Sequence, residues 1–305
     1  MRYLTVLTLI VMVAFAGNSI LVRLALATDS IGPLAFGVIR LLAGATVLSL
    51  LAGPQRAWRD SSWLGAIYLL TYVMFFSYAY LSLNTGTGAL ILFATVQMVM
   101  IGAGIRAGER LSWLQWLGTS LAFCGLVFLL RPGAVASPEI AATPSISAAP
   151  SVSAAPSIAG AVMMTIAGLG WGLYSLKGKS VQLPVAATAG SFAKAALLAL
   201  ALSMPLLMLR QEEFPQTKGV LLALGSGAIT SGLGYALWYK VLRFLPATRA
   251  GIAQLSVPAI AAIGGLVLLG EAVSIRLLVT TAMVLGGVGA ATLTQTPDKE
   301  IPAGA

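Results

Sequence analysis

Stretches of about twenty predominantly apolar residues dominate this chain, and they constrain it more than any motif does. A helix needs roughly twenty such residues to cross a hydrocarbon core about 30 Å thick. Ten segments meet that test: Leu4–Leu26, Pro33–Leu51, Trp63–Leu81, Thr87–Ile105, Trp113–Leu130, Ile158–Leu176, Val185–Leu209, Gly219–Trp238, Thr248–Leu269 and Ile275–Thr294. Only 18 basic and 9 acidic residues occur among 305, and mean hydropathy is +0.94. So few charges cannot clothe a water-soluble chain of this size. The short alternating segments of a membrane β-barrel are missing too. The expected fold class is an all-α integral membrane protein with ten transmembrane helices. Its first segment has Arg2 ahead of an apolar run, as a signal peptide would. Its length, and Arg23 near its end, make it a retained span.

Several functions fall away at this stage. The net charge of +9 does not come from a basic run interleaved with aromatics, so no nucleic-acid partner is expected. It reflects the collection of Lys and Arg in cytoplasmic loops. Cys124 is the single cysteine, so no intrachain disulfide can form, and the absence of histidine removes His-ligated metals and Ser-His or Cys-His catalysis. No catalytic residue, metal or cofactor is expected, and a membrane enzyme ranks low. A channel ranks low as well, because no filter-like motif or ring of charges is present.

The cations orient the chain. The even-numbered loops hold Arg56, Arg59, Arg106, Arg110, Lys177, Lys179, Lys240, Arg243 and Arg249, with Arg2 and Lys299 at the termini. The odd-numbered loops hold Arg131, Arg210, Lys218 and Arg276. The positive-inside rule places both termini in the cytoplasm, and the cell (inner) membrane is the expected location.

From about Ala134 to Ser157 the chain is rich in Ser, Ala and Pro, with a degenerate six-residue pattern beginning at Pro144, Pro150 and Pro156. Such a stretch buries too little to fold and reads as an extracytoplasmic linker. It divides the chain into a first repeat (1–131), the linker (132–157), a second repeat (158–294) and a cytoplasmic tail (295–305). The halves are alike. Gly108-Glu109-Arg110-Leu111-Ser112 parallels Gly270-Glu271-Ala272-Val273-Ser274, and Ile39-Arg40-Leu41-Leu42 parallels Ala193-Lys194-Ala195-Ala196. Five spans per half is an odd number, so the copies enter the membrane from opposite sides. Two inverted five-helix repeats are an architecture of secondary transporters.

The Gly-Glu-Arg-Leu after span four, Gln254-Leu-Ser-Val-Pro258 followed by Gly270-Glu271, and Gly168-Leu-Gly-Trp171-Gly-Leu-Tyr174 resemble the EamA-type transporters of the drug/metabolite transporter superfamily. The resemblance covers nearly the whole chain apart from the linker. It implies a carrier of small metabolites, commonly an exporter of amino acids or related solutes, with an importer or exchanger as the alternative. Two departures stand out: the linker is longer than the family's usual connection, and Phe15-Ala16-Gly17-Asn18 occupies a place where a Trp-Gly pair is frequent.

Ionisable groups inside a span are costly and mark candidate function. Arg40 and Lys194 sit near the middle of spans two and seven. They are read either as paired with helix-end carbonyls or reaching an interface, or as one of them facing a cavity and attracting a substrate carboxylate. Arg23 is expected to snorkel to the interface, and Glu109 and Glu271 to cap or pin loops. All nine acidic residues lie outside the span interiors, which favours facilitated diffusion or solute exchange over tight proton antiport. Asn18, Tyr78, Gln97, Trp171, Tyr174, Tyr235, Trp238 and Gln254 complete the candidate pathway, with Pro258 as a hinge or a static kink. The expected partners are a small-molecule substrate and the lipid bilayer, and a monomer suffices.

Overall fold

The computed structural model describes residues 2–106, 108, 112–130, 139–140, 157–178, 181–208, 214–242, 254 and 256–293. Its helices are α1 (Arg2–Ala27), α2 (Pro33–Ala52), α3 (Pro54–Asp60), α4 (Trp63–Ala79), α5 (Thr85–Arg106), α6 (Trp113–Leu130), α7 (Ile158–Gly178) and α8 (Pro184–Met208). A continuous rod follows, made of α9 (Thr217–Gly225), a π-helical segment (Ser226–Leu233) and α10 (Gly234–Leu242). The last two helices are α11 (Ser256–Leu269) and α12 (Ile275–Leu293). Nine of the ten expected spans coincide with one of these rods; the other, Thr248–Leu269, coincides with α11 over its described part, Ser256–Leu269. Six are long and apolar enough to cross a bilayer on their own, while α6, α11 and α12 are shorter apolar helices among the described residues. The tenth, α4, is preceded across a 97° bend by α3. Arg56 and Arg59, expected in a loop, lie on α3. Glu109, most of the linker and the tail fall outside the described residues.

Local chemistry sets the boundaries. Pro33 opens α2, where its missing N–H leaves no bond unmade. Gly53, at φ +85°, closes that helix by donating its amide to Ser49 O. Ser62 caps α4 by accepting from the Gly65 amide at 3.0 Å. Gly108 and Gly270 have φ of +89° and +67°. They are the glycines of the two Gly-Glu pairs, so the repeated motif makes the same left-handed stop after α5 and after α11.

The packing repeats as well. The second-half partners of α1, α2, α4, α5 and α6 are α7, α8, the α9–α10 rod, α11 and α12. The α4–α7 contact is mirrored by that of α1 with the α9–α10 rod, α5–α7 by α1–α11, and α2 with the π segment by α4–α8. The pairs α2–α8 and α6–α12 map onto themselves. The chain is therefore an all-α membrane protein of two inverted five-helix repeats. Lipid tails are as apolar as leucine, so close packing rather than apolar burial holds such helices together. At Gly170 a Cβ would sit 2.8 Å from Tyr68 O and 2.9 Å from Tyr72 N, so only glycine lets α7 approach the α4 backbone this closely.

One end of the bundle, the linker end, is tied down repeatedly. Glu139–Ile140 pairs antiparallel with Val273–Ser274. Arg276 donates to Phe128 O at 2.9 and 2.6 Å, and the Gln216 amide to Ser30 O at 2.8 Å.

Candidate functional site

Midway along the bundle, α1, α4, α5, α7 and α10 surround a narrow pocket of about 10 Å³, room for about one water molecule. Its walls are Phe15, Asn18 and Ser19 from α1, Tyr72 and Phe76 from α4, Leu92 and Phe93 from α5, Trp171 from α7 and Tyr235 from α10. Both repeats therefore contribute. Phe15 meets Trp171, Tyr235 and Trp238 edge-on at 6.4, 5.7 and 5.6 Å. Trp171 in turn lies 4.9 Å from Tyr235 and 5.1 Å from Tyr72. Edge-to-face and tilted contacts at these separations lock large rings in place at little entropic cost. The result is an aromatic cage with Asn18, Ser19 and the tyrosine hydroxyls as its polar groups.

Arg40 stands directly behind this wall, fully buried. Its guanidinium lies 5.1 Å from the Tyr72 and Phe76 ring centroids. It donates to Tyr72 Oη at 2.9 Å and to Ser231 Oγ at 3.1 Å. Its Nη1 has no hydrogen-bond partner, and no carboxylate pairs with Arg40 among the described residues. Burying a charge is expensive unless it is compensated. Here three hydroxyl and aromatic neighbours compensate it only in part.

Asn18 carries the second polar device. Its Oδ1 accepts from the hydroxyls of Ser226, Thr230 and Ser231 at 3.0, 2.6 and 3.0 Å. These come from the π segment, whose i→i+5 ring brings Ser226 and Ser231 to the same side. Gly17 permits the approach: a Cβ there would meet Thr230 Cγ2 at 2.9 Å. Ser231 thereby links Arg40 to Asn18 through one hydroxyl.

The remaining sequence candidates divide. Asn18, Trp171 and Tyr235 line the pocket, and Trp238 buttresses Phe15. Tyr174 packs beside Trp171 at 5.8 Å and donates to Thr188 Oγ1 at 3.1 Å, away from the linker end. Tyr78, Gln97 and Gln254 are half-buried and outside the pocket wall. Pro258 is buried in the first turn of the described helix α11. Lys194 is carried elsewhere: its Nζ donates to Trp58 O at 3.0 Å and Ser61 O at 2.9 Å, capping α3 between the rings of Trp58 and Trp63. Phe15, Ser19, Tyr72, Phe76, Leu92 and Phe93 join the site without having been singled out. Tyr72 and Phe76, four apart on one helix face, carried the only usable signal.

Arg23 corrects the sequence reading. It does not snorkel but is buried, with Nε 2.9 Å from Glu271 Oε1 and Nη1 donating to Tyr80 O at 3.1 Å. Glu271 Oε2 also accepts from the Thr85 amide at 2.7 Å, which places a carboxylate at the N-terminus of α5. Glu271 therefore pins, as its place beside a turn suggested, and it joins the two repeats across the linker end.

A pocket lined by both inverted repeats, with a cross-repeat ion pair toward the linker end, fits a multi-pass membrane transporter. The profile of the EamA-like transporter family matches residues 3–131 and 158–293, and the chain belongs to that family. An uncharacterized protein of Pseudomonas aeruginosa is 42% identical over 294 residues, covering 94% of this chain and 93% of its own length. An uncharacterized transporter of Bacillus subtilis is 27% identical over 263 residues, 82% of this chain and 81% of its own. One of Archaeoglobus fulgidus is 21% identical over 270 residues, covering 85% and 88% respectively. A solved crystal structure shares the fold with a TM-score of 0.60 at 19% identity, covering 93% of this chain and 96% of its own.

Proposed function

We propose that this transporter moves small carboxylate-bearing metabolites, amino acids or related solutes, out of the cytoplasm by alternating access. One observation carries the reading: a fully buried arginine behind the pocket wall with an unpartnered N–H and, among the described residues, no carboxylate beside it. A substrate anion supplies the missing charge once the halves move apart and widen the pocket, and the cage of Phe15, Trp171 and Tyr235 then receives its apolar body. With the halves 1–131 and 158–294 exchanging conformations, the pocket opens to each side in turn. Positive-inside loops support cytoplasmic termini in the inner membrane and an extracytoplasmic linker at 132–157. A single copy contains both halves of the pocket, which supports a monomeric carrier.

Energy coupling follows from the same inventory. Among the described residues no Asp or Glu lines the pocket, so the proposed cycle exchanges solutes or lets them run down their gradient without a titrating carboxylate. Counterflow in proteoliposomes, over a panel of labelled amino acids and other carboxylates, tests the proposal. A saturable signal with at least one carboxylate is expected, and Arg40→Gln should abolish it in protein that still inserts and purifies. Equal counterflow by the variant, or accumulation driven stoichiometrically by a pH gradient alone, would count against it.

A further inference from the structure

We propose that Asn18 is the group that selects carboxylate-bearing solutes, its amide NH2 donating directly to a carboxylate oxygen in the pocket. The inference rests on the pocket being the substrate site, and it adds a residue and a direction of hydrogen bonding to that reading.

The orientation of the amide follows from its neighbours. Arg40 Nε–H donates to Ser231 Oγ, which leaves the Ser231 proton free to point at Asn18. The Ser226 and Thr230 hydroxyls converge on the same Asn18 atom, Thr230 sharing its proton with Ser226 O. One atom approached by three hydroxyl groups is best an oxygen, because an amide NH2 has only two protons and splays them apart. With Oδ1 committed to the π segment, Nδ2 must point the other way. No described protein group accepts from Nδ2, nor is it among the buried polar atoms left unpartnered. Asn18 is one of the pocket walls, so this donor opens into the pocket. There it faces an aromatic cage that offers no carboxylate.

The device has a reason to be fixed. A free asparagine could rotate its amide and offer either donor or acceptor, and so would not discriminate. Held by the π segment, it presents donors only. The Arg40 cation, acting through Ser231, draws electron density from Asn18 Oδ1 and strengthens the opposite N–H. At this position an anion or carbonyl oxygen is accepted, while an ammonium group finds no acceptor on Asn18 and has the Arg40 cation behind the wall. A site built of donors rejects a mismatched group strongly, because its own polar groups would then be left unpaired.

Asn18→Asp is the decisive variant. It keeps the oxygen that binds the three hydroxyls and changes only the pocket-facing atom, from donor to acceptor. Purified protein would be titrated with phenylacetate, L-phenylalanine and benzylamine, following tryptophan fluorescence, which Trp171 in the pocket wall reports. The wild type should bind phenylacetate and L-phenylalanine more tightly than benzylamine. N18D should lose phenylacetate affinity by about tenfold or more and acquire benzylamine binding. Asn18→Ala separates the missing donor from the added negative charge: it should lose phenylacetate affinity without gaining benzylamine. It also serves if N18D fails to accumulate. Wild-type phenylacetate affinity in either variant overturns the role of Asn18, and if Arg40→Gln then still loses that affinity, the pocket reading stands alone. Failure of the wild type to bind either carboxylate overturns both.

Discussion

Arg40 and Lys194 occupy equivalent positions of the two repeats, yet the fold uses them in opposite ways. Each reaches from its own half into the other: Arg40 to Ser231 on the π segment, Lys194 to the carbonyls of Trp58 and Ser61 at the end of α3. The symmetry thus preserves the direction of reach. What differs is the depth at which the partner lies. Ser231 is in the middle of a membrane-crossing rod, so Arg40 stays buried with hydroxyls for company. Ser61 precedes α4, so Lys194 runs its stem outward and spends its charge on helix-end carbonyls and two indole faces. Inverted repeats supply two similar scaffolds, and a single charged pocket arises only where their side chains stop matching.

Arg23 is the third cation within the spans, and it sharpens that contrast because, among the described residues, it is the one of the three with a carboxylate. Removing the partner should therefore have the largest effect on stability. Glu271→Gln leaves Arg23 buried without a counter-charge and one amide oxygen where two carboxylate oxygens served Arg23 and the Thr85 amide, and breaking such a pair costs about 3–5 kcal/mol. Thermal unfolding in detergent should show a large drop, and the paired Arg23→Met/Glu271→Met variant should recover part of it. Arg40→Gln should act in the opposite sense. The wild-type charge has no carboxylate partner among the described residues and is only partly compensated, so its removal should hold or raise the unfolding temperature while counterflow is lost. If both variants destabilise equally, Arg40 is a structural cation like Arg23 and the proposed division of labour fails.

Much of this arrangement was legible beforehand, for physical reasons that differ by element. The ten rods follow from apolar length, which lipid enforces without regard to tertiary detail. The repeat showed itself in Gly108 and Gly270, because a left-handed helix stop needs glycine and leaves a trace in sequence. Helix α3 did not, since seven residues of mixed polarity carry no period. Arg23 and Glu271 are 248 positions apart, and only the crossing of α1 with the end of α11 brings them together. Among the pocket residues, Asn18, Trp171 and Tyr235 were visible as polar or aromatic groups within spans. Tyr72 and Phe76 were hidden by the other aromatics of the same span, Tyr68, Phe75, Tyr78 and Tyr80, because composition does not say which face turns inward. The direction of Lys194 was equally hidden, as its long stem can end several ångströms from its Cα.

A smaller effect tests the other member of the pair. Lys194→Gln removes two charged hydrogen bonds and two cation–π contacts at the end of α3, a loss of about 1–3 kcal/mol if no water replaces them. Counterflow should persist with an unchanged half-saturation concentration, while proteolysis near Asp60 and Ser61 should quicken as α3 loosens. Loss of transport with α3 intact would return Lys194 to the pathway.

The smallest expected change discriminates most finely between a charge that acts across the wall and one that must touch the solute. Tyr72→Phe keeps the ring that lines the pocket and stacks on Trp171, and removes only the hydroxyl that accepts from Arg40 at 2.9 Å. One N–H of the guanidinium then joins Nη1 in lacking a partner. If Arg40 attracts the carboxylate through the field it projects past Tyr72, that freed donor deepens the attraction. Half-saturation should fall or hold, and turnover should slow about two- to fivefold as the anion leaves less readily, each factor of ten corresponding to about 1.4 kcal/mol. If the Tyr72 hydroxyl instead relays the interaction by contacting the solute itself, Y72F should raise the half-saturation concentration about tenfold, the cost of one charge-assisted hydrogen bond. Counterflow measured over a range of solute concentrations separates the two outcomes, because one moves mainly the maximal rate and the other mainly the half-saturation point.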